Sequence, residues 1–95
     1  MKIYIAGRIT GDADFREKFE QASNSVIALG HTPLNPARLP EGLSLADYMR
    51  ICWSMIDVAD KVLFLPDYCE SKGAMLEYNY CVYIGKAFCF GLENI

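Results

Sequence analysis

The sequence predicts an α/β fold: a small doubly wound parallel sheet of about four strands in the order 2-1-3-4, with three main helices. Two observations carry this. Three segments share one pattern, a lysine, a short apolar run and then a glycine or proline: Lys2-Ile-Tyr-Ile-Ala-Gly7, Lys61-Val-Leu-Phe-Leu-Pro66 and Lys86-Ala-Phe-Cys-Phe-Gly91. Unbroken β-branched and aromatic runs of this length fit strands covered on both faces, as in a parallel sheet. Between them lie apolar stripes at helical spacing, so the order reads β-α-β-α-β-α-β. Right-handed crossovers then place helices on both faces and set the strand order.

The elements follow in turn. The first strand is Lys2–Gly7. In the first helix Phe15, Phe19, Ala22, Val26 and Leu29 recur at spacings of 4, 3, 4 and 3 and make one stripe. Asp12 or Asp14 caps its start, and Gly30 suits a left-handed stop. The second strand is expected over His31–Asn35, where Pro33 suits a sheet edge. The second helix begins near Ser44 with Asp47 three residues on, in a capping-box arrangement, and is expected to carry Leu45, Tyr48, Cys52, Met55 and Ala59 inward. The third helix runs from about Ser71 to Ile84 and stops at Gly85, leading into the last strand.

Composition bounds the rest. A chain of 95 residues, 53% of them hydrophobic, forms one domain spanning 1–95 and buries enough surface to fold. Its longest apolar runs, such as Val62–Pro66, are far shorter than the roughly 20 residues of a membrane-crossing helix, so no membrane partner is expected. Met1-Lys2 leads directly into a strand-like run, which argues against a signal peptide. Nine basic residues against twelve acidic ones leave a net charge of −3, and the cations are scattered singly. A nucleic acid polymer is therefore not expected as a partner. Cysteines 52, 69, 81 and 89 include no CxxC pair and His31 is the only histidine, so neither a metal nor another cofactor is implied. Three of the four lie in apolar patterns and read as reduced core thiols of a cytoplasmic protein.

In a doubly wound sheet, ligands bind beyond the carboxyl ends of the strands where the winding reverses, here between strands 1 and 3. That brings two loops to one crevice. The first, Ala6-Gly7-Arg8-Ile9-Thr10-Gly11-Asp12, has two glycines that let backbone amides approach a ligand, and it lacks both dinucleotide and P-loop signatures. The second runs from Pro66 and Asp67 to Ser71, Lys72, Gly73 and Ala74. Ser71 is a natural N-cap, and with Gly73 it offers a seat for a phosphate or a sugar hydroxyl. Glu77 stands out on an otherwise apolar helix. Such a carboxylate is paired, exposed or functional, since burying it alone is costly. An ordinary solvated helix glutamate is the plain alternative. Tyr4, beside Gly7, could reach the crevice and hold it, or could serve as strand packing.

Several of these residues together, Tyr4-Ile-Ala-Gly7, Gly30-His31, Asn35-Pro36, Asp60, Leu65-Pro66 and Ser71-x-Gly-Ala-x-x-Glu77, resemble the nucleoside 2-deoxyribosyltransferase superfamily, and above all its short bacterial and phage members, over nearly the whole chain. The resemblance implies a Rossmann-like or flavodoxin-like fold. It also implies cleavage of the N-glycosidic bond of 2′-deoxynucleosides or their 5′-monophosphates, by transfer or hydrolysis. Glu77 matches the nucleophile that forms a deoxyribosyl ester, and Tyr4 the tyrosine that orients it. Ser71 and Gly73, with Ala74, match the 5′-phosphate seat, while Gly7, Arg8, Gly11 and Asn35 are the further expected substrate contacts. Members of the family place an aspartate eight residues before the one that opens strand three; here that position is Cys52, and a thiol is a poor proton donor to a departing base. Asp57 and Asp60 are expected at the far end, and Asp47 points about 140° around the helix from Cys52. Asp67 is the remaining candidate for the acid.

The missing aspartate keeps a second reading open, a non-catalytic nucleotide- or nucleoside-binding module on the same fold. Either way the expected partner is a small nucleoside or nucleotide. The third helix carries more apolar surface than one small sheet covers, so a homodimer or higher homo-oligomer is expected.

Overall fold

In the computed structural model, which describes residues 1–95, four parallel strands form one sheet in the order β2-β1-β3-β4. They are β1 (Lys2–Ala6), β2 (Thr32–Leu34), β3 (Lys61–Phe64) and β4 (Phe88–Cys89). Three helices connect them: α1 (Phe15–Ala28), α2 (Leu45–Val58) and α3 (Lys72–Ile84). This is the predicted architecture. The last strand is shorter than its apolar run suggests, for a local reason. The Lys86 amide donates to the Cys81 carbonyl to finish α3, and the Lys86 ammonium reaches the Ala59 carbonyl, so β4 starts only at Phe88.

Helix boundaries follow the capping chemistry. Ser44 accepts from the Asp47 amide and Ser71 from the Ala74 amide, both at 3.1 Å. Gly30 and Gly85 end α1 and α3 with φ of +85° and +72°. Of the two aspartates expected to start α1, Asp14 holds the cap position without a side-chain bond, while Asp12 accepts from the Asp14 amide and shapes the turn before it.

Period-two alternation divides the sheet into two interiors. Ile3, Ile5, Leu63 and Leu65 face Phe19, Ala22 and Val26 of α1. Tyr4, Ala6, Val62 and Phe64 face the other way, against Cys52 and Ile56 of α2, Ala59 at its end and Cys81 of α3. The inward seam of α2 differs from expectation at one end. Leu45 is 76% exposed, and the fully buried residue is Ile56. A 14-residue helix is about 21 Å long, whereas strands of four or five residues span roughly 13–17 Å, so the ends of α2 overhang the sheet. Leu29, at the end of α1, is exposed for the same reason. On α3 only Ala74, Glu77 and Cys81 are buried, leaving Leu76, Val82, Tyr83 and Ile84 on the outer face.

This seam is testable. Ile56→Ala should lower unfolding stability by about 2–5 kcal/mol in urea denaturation, against less than about 0.5 kcal/mol for Leu45→Ala. Equal losses would place the interior face of α2 elsewhere.

Candidate active site

Tyr4, in the middle of β1, points to the α2/α3 side of the sheet. Glu77 lies three residues after Ala74 and four before Cys81, on the one face of α3 that is buried. These two positions meet: the Tyr4 hydroxyl donates to Glu77 Oε2 at 2.5 Å, joining residues 73 apart in sequence. Both are interior, Tyr4 at 1% and Glu77 at 5% exposure, and Glu77 is the one buried member of the chain's twelve acidic residues. Burial raises the Glu77 carboxyl from 4.5 to about 7, although the Tyr4 hydrogen bond works to lower it. The Tyr4 hydroxyl is raised well above its ordinary value, first by burial and then by the adjacent Glu77 charge.

Two thiols complete the surroundings. Cys52, from α2, adjoins the Tyr4 hydroxyl, and Cys81 follows Glu77 by one helical turn. Burial pushes each thiol up to about 11, so both are neutral at pH 7. No carboxylic acid accompanies Glu77 in this interior.

The two loops at the carboxyl ends of β1 and β3 are fastened to one another by a residue the sequence did not single out. Lys18, on α1, donates to the Arg8 carbonyl at 2.8 Å, to Asp12 at 2.6 Å and to Asp67. Asp67 also accepts from the Arg8 amide at 3.1 Å. Partial desolvation works against the charge of Lys18, but hydrogen bonds to Asp12 and Asp67 hold its ammonium above the ordinary lysine value. Gly7 is needed where these loops touch. A Cβ there would stand 3.0 Å from Leu65 Cδ1 and 3.1 Å from Asp67 Oδ1. Arg8 turns back within its own loop, its Nε donating to the Thr10 carbonyl at 3.3 Å, and Gly11, at φ +82°, lies under the guanidinium.

The second expected subsite is the first turn of α3. With Ser71 Oγ on the Ala74 amide and the Ser71 carbonyl on Met75, the Lys72 and Gly73 amides have no main-chain partners, and a Cβ on Gly73 would meet nothing closer than 3.8 Å. Asn35 lies elsewhere. Its side chain accepts from the Ala37 amide at 2.9 Å, and it borders a cleft of about 380 Å³ with Arg16, Glu20 and Arg38 on the α1 side. A smaller cleft of about 190 Å³ lies against Leu65, Pro66 and Phe90. Neither is lined by Tyr4 or Glu77. The larger is edged by exposed ion pairs such as Arg38–Glu20, whereas a perturbed, buried carboxylate is the stronger mark of chemistry. Asp57 accepts from Tyr80, and Asp60 accepts from the Lys2 amide at the start of β1, the far end of the sheet from the loops. No group of three or more histidine, cysteine, aspartate or glutamate residues is arranged to hold a metal ion, and no helix is long and apolar enough to cross a membrane.

Residues 1–90 match the family model described as a domain of unknown function, DUF4406. The chain belongs to this family. No curated protein matches it in sequence. Among solved structures, this DUF4406 chain is similar to a 2-deoxyribosyltransferase of Bacillus psychrosaccharolyticus, with a TM-score of 0.72 and 21% identity over 93% of this chain and 69% of that one. It is similar also to a 2-deoxyribosyltransferase of Leishmania mexicana, with a TM-score of 0.75 and 18% identity over 94% of this chain and 62% of that one. The chain thus spans about two thirds of the length of these enzymes and shares their fold, as the motif resemblance implies.

The raised carboxyl of Glu77 links stability to pH. Below about pH 4.5 it is protonated in both folded and unfolded chains; between 4.5 and about 7 only the folded chain keeps the proton. Stability therefore falls as pH rises through that window, by about 3 kcal/mol in total. Glu77→Gln should abolish this component, gaining about that much on the parent between pH 4 and pH 8 in denaturant titrations. A parallel pH dependence in both proteins would show that the carboxyl is not perturbed.

Proposed function

We propose that this protein cleaves the N-glycosidic bond of 2′-deoxynucleosides or their 5′-monophosphates, through a deoxyribosyl ester on Glu77. The observation that carries the reading is the buried Tyr4–Glu77 hydrogen bond of 2.5 Å beside the sheet's switch point. A desolvated carboxylate is a strong nucleophile once ionised. The Tyr4 hydroxyl favours the ionised form and leaves Oε1 as the oxygen free to attack C1′. The fold shared with the two 2-deoxyribosyltransferases supports the same chemistry.

In this reading the free amides of Lys72 and Gly73, at the positive end of α3, take a 5′-phosphate or a sugar hydroxyl. Gly7, Arg8 and Gly11 form the opposite wall. Asn35, turned toward α1, contributes at most through the chain bend that it caps. Asp67 is occupied by Lys18 and the Arg8 amide, and we assign it to holding the two loops together rather than to protonating a base. Water as the acceptor makes the protein a hydrolase; a second base makes it a transferase. Self-association through the exposed outer face of α3 and a cytoplasmic, reducing location belong to the same proposal. One observation favours a second reading, a binding module: the interior beside Glu77 offers thiols where an acid would assist the leaving base.

Incubation with deoxyadenosine, deoxycytidine and their monophosphates separates the two. The enzyme releases free base, and Glu77→Ala lowers the rate by at least ~10³-fold. Tyr4→Phe lowers it by about 10²-fold. Binding of a nucleoside with no base ever released would establish the binding module instead.

A further inference from the structure

The groups around Glu77 restrict which bases can leave. Breaking a C1′–N bond puts its electron pair on the base nitrogen, and a neutral purine or pyrimidine then needs a proton from a nearby acid. The phenols of Tyr68, Tyr78 and Tyr80 pack at the edge of this interior, and around Glu77 itself β1 supplies the Tyr4 hydroxyl, α2 the Cys52 thiol, and α3 the Cys81 thiol. Tyr4 already donates to the nucleophile, and all three groups hold their protons more tightly than usual because they are buried. The two part-buried carboxylates of the loops, Asp12 and Asp67, both bind Lys18. The remaining acids lie exposed or in surface pairs.

Resting on the N-glycosidase reading, we infer that the preferred substrates are deoxyribosides whose base departs without being protonated, namely cationic N-glycosides such as pyridinium or N7-alkylated purine deoxyribosides. The step balances without an acid. Glu77 Oε1 bonds to C1′ as the C1′–N bond breaks, and the electron pair cancels the positive charge on the ring nitrogen, releasing a neutral base. Water then attacks C1′ of the ester and passes one proton to solvent. The products are 2-deoxyribose and the regenerated carboxylate.

The test compares N-(2-deoxy-β-D-ribosyl)pyridinium with deoxycytidine and deoxyadenosine, each rate taken relative to its own uncatalysed hydrolysis to remove intrinsic lability. The pyridinium compound should show an enhancement at least ~10²-fold larger, the lower end of what a positioned acid contributes. Its pH profile should rise through about 7 with Glu77 ionisation and then stay level, with no falling limb up to about pH 9. Cys52→Asp should narrow the gap by speeding deoxycytidine cleavage below pH 7. Equal enhancements for the three substrates, or a falling alkaline limb with the pyridinium compound, would overturn this inference while leaving the N-glycosidase reading intact. Absence of Glu77-dependent release from any of them would overturn both. The parent enzyme's substrate ratio and pH profile decide the matter even if Cys52→Asp does not fold.

Discussion

A carboxylate inside a small protein is the constraint around which this structure is arranged. Glu77 lies in the apolar layer between the sheet and two helices, where a charge without a partner would cost several kcal/mol. One hydroxyl, donated from the neighbouring strand at 2.5 Å, meets that need only in part. The carboxyl remains raised to about 7 by burial. A structural role alone would be met more cheaply by leucine or glutamine at this position of α3, since replacing a buried polar pair by apolar groups is often neutral or stabilising. In the proposed function the carboxylate adds reactivity, being desolvated and oriented through one oxygen.

The positioning of this group draws on elements far apart in sequence. β1 brings Tyr4 to the centre of the sheet, α3 enters with its first-turn amides toward the carboxyl end, and α2 closes the interior with Cys52. On the opposite side Lys18 holds the β1 and β3 loops in a fixed relation through Asp12, Asp67 and the Arg8 carbonyl. That cluster is part-buried, with its side chains about a quarter exposed, so its charges are less screened than the surface pairs Arg16–Glu41 and Arg38–Glu20. The β1 and β3 loops are thereby held together by the chain's own contacts.

Much of this was legible in the sequence because it depends on local chemistry or on topology. The three Lys-apolar-Gly/Pro runs marked strands, the serines at 44 and 71 and the glycines at 30 and 85 marked helix ends, and crossover handedness ordered the sheet. That order is what allowed Tyr4 and Glu77 to be placed together, with the family motif pointing the same way. The seam of α2 was less legible because its apolar residues fit two overlapping stripes, and only the limited length of the sheet leaves Leu45 outside while Ile56 is enclosed. Asn35 turned away because Leu34, its neighbour, takes the side facing α2 and α3. Lys18 gave no signal at all: a lysine between Phe15 and Phe19 reads as an ordinary polar helix residue until Asp67, 49 residues further on, folds onto it.

A carbon-13 NMR titration of the labelled Glu77 side chain observes the state of this carboxyl directly. The midpoint is expected near pH 7 and should move higher in Tyr4→Phe, where the favourable hydrogen bond to the ionised form is lost. A midpoint near 4.5, unchanged in that variant, would describe a solvated surface glutamate and rule out a carboxyl perturbed by burial beside Tyr4.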